Sequence, residues 1–137
     1  MKLKVMMATE DGVRVFLGHP GEADYFRIYE LQENGDHKLL KELKNEAKDM
    51  EEEGKHGSVG KMRKVLKMIG DVDIILSTRN SPNLIRMAKE TEIQPVISPR
   101  LETLEEGLKK LVENFEVLSD MVKRRKKGER FDVYIIR

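Results

Sequence analysis

The chain has no cysteine. That absence removes disulfides, thiolate metal sites and cysteine nucleophiles together. No apolar run is long enough for a membrane span, and no apolar stretch opens the chain as a secretion signal would, so the expectation is a soluble, cytoplasmic protein. Charge of one sign is also missing. The 26 Lys and Arg residues face 25 Asp and Glu, leaving a net charge of +1 and no global attraction to nucleic acid. Glutamine is scarce beside abundant Lys and Glu, as in thermophile surfaces, although eight methionines run against that likeness. The 137 residues suffice for one domain with a proper core, and a single domain over 1–137 is expected.

Hydrophobic periodicity divides the chain. Residues 3–8 form a short apolar strand ended by Thr9-Glu10-Asp11-Gly12, where Asp-Gly signals a hairpin. Residues 13–16 alternate, and so do 25–31, before a second turn at Glu33-Asn34-Gly35-Asp36 leads into 38–43. Three or four antiparallel strands are therefore predicted in the first third. Residues 44–55 are highly charged and read as an exposed loop or frayed helical turn.

After Ser58 the period changes. Val59, Met62, Val65, Leu66 and Ile69 recur at helical spacing, and Gly70 is placed to end the helix. Residues 72–76 read as a buried strand. Ser81-Pro82 supplies an N-cap and a first-turn proline for a helix reaching Glu90. Residues 94–97 are another short strand, and Thr103 with Glu106 makes a capping box for a final helix. Strand alternating with helix implies parallel pairing through right-handed crossovers. The whole order is that of an α/β, ribonuclease H-like fold, with a mixed sheet, antiparallel N-terminal strands and an αβα second half.

On the last helix Leu101, Leu104, Leu108, Leu111, Phe115, Leu118 and Val122 alternate spacings of three and four, a heptad seam. Two readings stand: a long helix lying on its own sheet, or a seam shared with a second subunit in a homodimer. The run Lys123-Arg124-Arg125-Lys126-Lys127 either complements the dipole at the helix end or binds nucleic acid. Residues 131–136 are a strand by composition, at the sheet edge or crossing to a partner.

The candidate chemistry lies in Gly18-His19-Pro20-Gly21-Glu22-Ala23-Asp24-Tyr25-Phe26 and in Gly54-Lys55-His56-Gly57-Ser58-Val59-Gly60. Two of the three histidines thus lie beside glycines that let backbone approach a ligand, and both segments follow predicted strands. They are expected to converge at one end of the sheet. The third, His37, follows a turn and reads as solvent-exposed. Met6 and Met7 alternate across a strand, so only one can approach a site. Asp71 and Asp73 flank a strand start and read as capping or solvated rather than catalytic, and Ser58 reads as a helix N-cap rather than a nucleophile.

In their order these two segments, with the opening strand, residues 71–76, Ser81-Pro82-Asn83-Leu84 and Glu92-Ile93-Gln94-Pro95-Val96, resemble the dinitrogenase iron-molybdenum cofactor biosynthesis family, which includes NifX-like carriers and the C-terminal domain of NifB. The resemblance covers about residues 1–112. It departs at Pro20 and Glu22, where members commonly carry an aromatic and a basic residue, and the extension beyond about Asn114 is unmatched. It implies a non-enzymatic domain that binds nitrogenase cofactor or its iron-sulfur precursor and hands it to a partner protein. His19 and His56 would then be metal ligands. The amides of Gly57, Ser58 and Gly60 at a helix start would face the cluster's negative charge, and Arg79 would add a cation. With no cysteine, an iron-sulfur or iron-molybdenum cluster would be held transiently.

Two other classes compete. A nucleic-acid enzyme of this fold would hold metal ions with carboxylates, one of them in the first strand, and residues 3–8 have none. A purely structural protein would need only self-association through the helix and terminal strand.

Overall fold

The structure is a computed structural model and describes residues 1–50 and 59–137. Strands β1 (Lys2–Thr9), β2 (Tyr25–Gln32) and β3 (His37–Lys44) form an antiparallel meander. Helix α1 (Val59–Ile69), strand β4 (Ile74–Ser77), helix α2 (Pro82–Glu90) and strand β5 (Gln94–Ile97) then alternate. Two helices, α3 (Leu104–Glu113) and α4 (Phe115–Lys126), lead to the short strand β6 (Tyr134–Ile135). Among the described residues six strands make one sheet in the order β3-β2-β1-β4-β5-β6. The pairs β1/β4, β4/β5 and β5/β6 are parallel, which is the mixed, ribonuclease H-like arrangement expected.

Both faces of the sheet are covered, which is why β1 and β4 read as continuous apolar runs. Leu3, Val5 and Met7 point into a core closed by α3 and α4, whereas Met6, Ala8 and Ile75 point into a second core with α1 and α2. The edge strand β3 is mostly exposed, with Lys38, Lys41 and Lys44 along it, a charge pattern that discourages edge pairing.

Residues 13–16 are not a strand. Only Arg14 forms a bridge, to Thr103, while Phe16 N–H donates to the Ala8 carbonyl and Val15 N–H to that of Glu102. The cause is local. The Asp11 carboxylate accepts the amides of Val13 and Arg14 at 2.9 and 2.8 Å and curls the chain before it can pair. Those bonds hold the Asp11 pKa below its ordinary value.

The long final helix is broken at Asn114, whose ψ of 16° leaves the helical range and whose side chain donates to the Lys110 carbonyl. The heptad stripe nevertheless stays in register across the break. Every member from Leu101 to Val122 is buried against the chain's own sheet, so the seam is internal. Three members of the basic run are engaged by the fold, while Lys123 and Lys127 are exposed. Arg124 pairs with Asp120 and Glu129 and lies 4.9 Å from the Phe131 ring, Lys126 meets Asp73 at 3.0 Å, and Arg125 is fully buried. Gly128, at φ +101°, ends α4 in the left-handed region that glycine adopts freely. Asp73 does cap a strand start, accepting the amide of Lys4 at 2.9 Å.

Segment 44–50 is more tightly packed than its charge suggested, because Asn45 and Ala47 are buried; residues 51–55 lie outside the described residues. One close approach fixes the α3 layer. A Cβ on Gly107 would sit 2.7 Å from Met7 Sδ and 3.0 Å from Leu76 Cδ2. Gly107→Ala is therefore expected to lower stability by roughly 1–2 kcal/mol in urea unfolding, overpacking outweighing the helix-propensity gain of about 1 kcal/mol. Increased stability would show that Met7 and Leu76 can move aside.

Candidate functional site

The neighbouring parallel strands β1 and β4 end side by side, and their chains then diverge, β1 into the loop carrying His19 and β4 into α2. Such a divergence leaves a crevice at the carboxyl ends of the strands. A cavity of about 140 Å³ lies here, bounded by residues of β1, the His19 loop, α1, β4 and α2. Met6, Met62, Val65, Ile75, Leu84 and Met87 give it an apolar floor.

The wall carrying His19 is pre-shaped. Pro20 opens a 3₁₀ turn (Pro20–Glu22) with His19 at its N-cap, the Glu22 amide donating to the His19 carbonyl at 2.9 Å. Asn45, arriving from the end of β3, clamps the turn from behind. Its amide nitrogen donates to the carbonyls of Gly21 and Ala23 at 2.9 and 2.8 Å, and its oxygen accepts the Ala47 amide. Outside the clamp, Lys48 pairs with Asp24, and that ion pair holds the Asp24 pKa low.

His19 Nδ1 is buried and has no hydrogen-bond partner among the described residues. A buried polar atom left unpaired is costly, and in native structures such an atom calls for an explanation. Opposite it stands the N-terminus of α2. Ser81 Oγ accepts the Leu84 amide at 3.2 Å, Pro82 occupies the first turn, and Ser81, Pro82 and Asn83 line the cavity. The positive end of the α2 dipole therefore faces the space beside the imidazole. Lys61, buried on α1, adds its side chain to the wall, and exposed Glu22 lies at the rim.

Of the residues expected at the site, His19 is in the cavity wall. Gly60 is exposed at the second position of α1, and Arg79 is exposed, neither of them lining the cavity. His56, Gly57 and Ser58 lie outside the described residues, as does the expected convergence of the two histidines. The methionine alternation holds, with Met6 at the cavity and Met7 in the opposite core. His37 is exposed and edge-on to Tyr29. Among the described residues no three His, Cys, Asp or Glu side chains group to hold a metal ion.

Sequence reasoning missed Lys61, Asn45 and the use of the α2 N-terminus as the positive end. A signal existed for Lys61, which stands four residues before Val65 and so flanks the apolar stripe of α1.

A sheet covered by helices on both faces, with an apolar-floored cavity bordered by His19, Lys61 and the α2 N-terminus at its strand switch, defines an α/β domain with a pre-formed crevice among its described residues. The chain belongs to the dinitrogenase iron-molybdenum cofactor family, whose model matches residues 1–114, ending at the break between α3 and α4. Membership gives the chain a cofactor-associated role in the family's biosynthetic setting. No curated protein matches it. Among the described residues no helix is long and apolar enough to cross a membrane.

Proposed function

We propose that this protein is a non-enzymatic carrier that binds an iron-sulfur or iron-molybdenum cluster, or a related anionic cofactor, and passes it to an acceptor protein. The buried Nδ1 of His19 carries this reading, because a metal at the cavity would supply the partner that the described residues do not. The α2 N-terminus favours the negative charge of a sulfide-bridged cluster, and the thioether and aliphatic floor favours its weakly hydrated surface. With no cysteine to anchor it, the cluster is released as readily as it is bound, which suits a carrier.

In this proposal His56 is the second ligand, with Gly57, Ser58, Gly60 and Arg79 contributing on the α1 side. The partners are the proteins that supply and receive the cluster. A homodimer remains part of it only through the outer edge of β6, where Ile135 is exposed, since the helical stripe is spent on the chain's own core.

Anaerobic titration with a reduced iron-sulfur cluster preparation, followed by visible absorbance, tests the site. His19→Ala is expected to weaken uptake by about tenfold, the value of one lost metal or charge-assisted contact, and His19→Ala combined with His56→Ala to abolish it. Equal uptake by wild type and the double variant would remove the proposed site.

A further inference from the structure

The cavity holds a charged side chain that the sequence did not mark out. Lys61 is only 5% exposed, whereas its helix neighbours Arg63, Lys64 and Lys67 all project into solvent. Burying an ammonium is expensive, and lysine ordinarily avoids the cost by extending its head into water.

Here the surroundings guide the stem inward. Lys61 Cε lies 3.3 Å from the point where a Cβ on Gly21 would stand, so the side chain passes over the one residue of the His19 turn that has no side chain. Its Nζ donates to the carbonyl of Lys48 at 3.3 Å, and the side chain borders the cavity along the way. The α2 N-terminus approaches the same space from another element. Two independent positive features thus border a cavity whose floor offers no hydrogen-bond donor.

We infer that Lys61 is the residue that reads ligand charge, making the cavity selective for multiply charged anions over singly charged ones of the same shape. Gly21 leaves room for the Lys61 stem, which a Cβ there would push aside by a few tenths of an ångström. The inference rests on the cavity being the binding site, and it assigns the selectivity to one side chain that the family resemblance does not name.

Molybdate and perrhenate are tetrahedral oxyanions of similar size that differ by one charge, and they serve as the probes. Calorimetric titration of the full-length protein should show tighter binding of molybdate. In Lys61→Met and in Lys61→Gln the ratio of the two dissociation constants should fall by about tenfold, as expected for loss of a charge-assisted contact. A packing defect would weaken both anions alike and leave the ratio unmoved. In the wild type, adding molybdate should also shift the NMR signal of the Lys61 ammonium, a readout that needs no variant to fold. An unchanged ratio, or an unmoved Lys61 signal while molybdate binds, overturns the inference and leaves the cavity as the site. Failure of the wild type to bind either anion removes the cavity as an anion site and the inference with it.

Discussion

Replacing Arg125 with alanine is expected to cost on the order of 4 kcal/mol of stability, the largest loss from any single side chain of the C-terminal segment. Its guanidinium is fully buried and faces carbonyl oxygens from three directions. It donates to Met87, Ala88 and Thr91 at the C-terminal end of α2, to Glu92 just beyond, to the Gln94 side chain on β5, and to Phe131 ahead of β6. The cation thus occupies the negative end of the α2 dipole and satisfies carbonyls left over where that helix stops. Burial, followed by repulsion from Arg130, pushes its pKa down to about 10, so it remains charged at neutral pH.

Alanine would leave several buried carbonyls without donors and unfasten residues 129–137 from the sheet. Lysine is expected to recover little of the loss, because a single ammonium cannot span acceptors on α2, β5 and the β6 approach as the planar fork does. Urea unfolding of Arg125→Ala and Arg125→Lys checks this. A loss below about 1 kcal/mol for alanine would show that water replaces the guanidinium without strain.

Arg125 also shows what the sequence could reveal. In a run of like charges nothing about residue type separates the buried member from the exposed ones. Position does, because 118, 122 and 125 continue the alternation of four and three that defines the apolar stripe, which places Arg125 on the seam. The other elements that were legible rest on local chemistry of the same kind. Ser81 caps α2, Thr103 accepts the Glu106 amide at 3.1 Å, and β1, β4 and β5 pair in parallel as strand-helix alternation required.

What stayed hidden depends on contacts distant in sequence or on one local bond. Residues 13–16 alternate like a strand, but the Asp11 carboxylate turns them aside. The break at Asn114 is silent because the stripe keeps its register through it. His19 was legible through its glycine neighbours, whereas the groups that fix its surroundings, Lys61 and Asn45, stand 42 and 26 residues away along the chain.

Asn45 offers the second large effect, because it couples the stability of the fold to the shape of the cavity. Asn45→Ala is expected to cost about 3 kcal/mol, since it strips donors from the Gly21 and Ala23 carbonyls and an acceptor from the Ala47 amide in a site only 5% exposed. Asn45→Asp is the sharper probe. It keeps the acceptor for Ala47 but turns the two donated bonds into a carboxylate facing two carbonyl oxygens, so at neutral pH it should be less stable than Asn45→Ala. Only the protonated acid can donate, which raises the folded-state pKa of the new group above its unfolded value of about 3.9. The stabilisation it supplies is therefore present below the unfolded pKa and is lost as pH rises through the folded pKa. Measured at matched pH, the deficit of Asn45→Asp relative to Asn45→Ala should shrink steadily from pH 7 towards about pH 4. Cluster uptake should weaken in both variants even where they remain folded, because the turn that aims His19 loses its rear support. A deficit independent of pH would mean that the Asn45 side chain does not hold those carbonyls, and that the His19 turn owes its shape to Pro20 and its own backbone bonds.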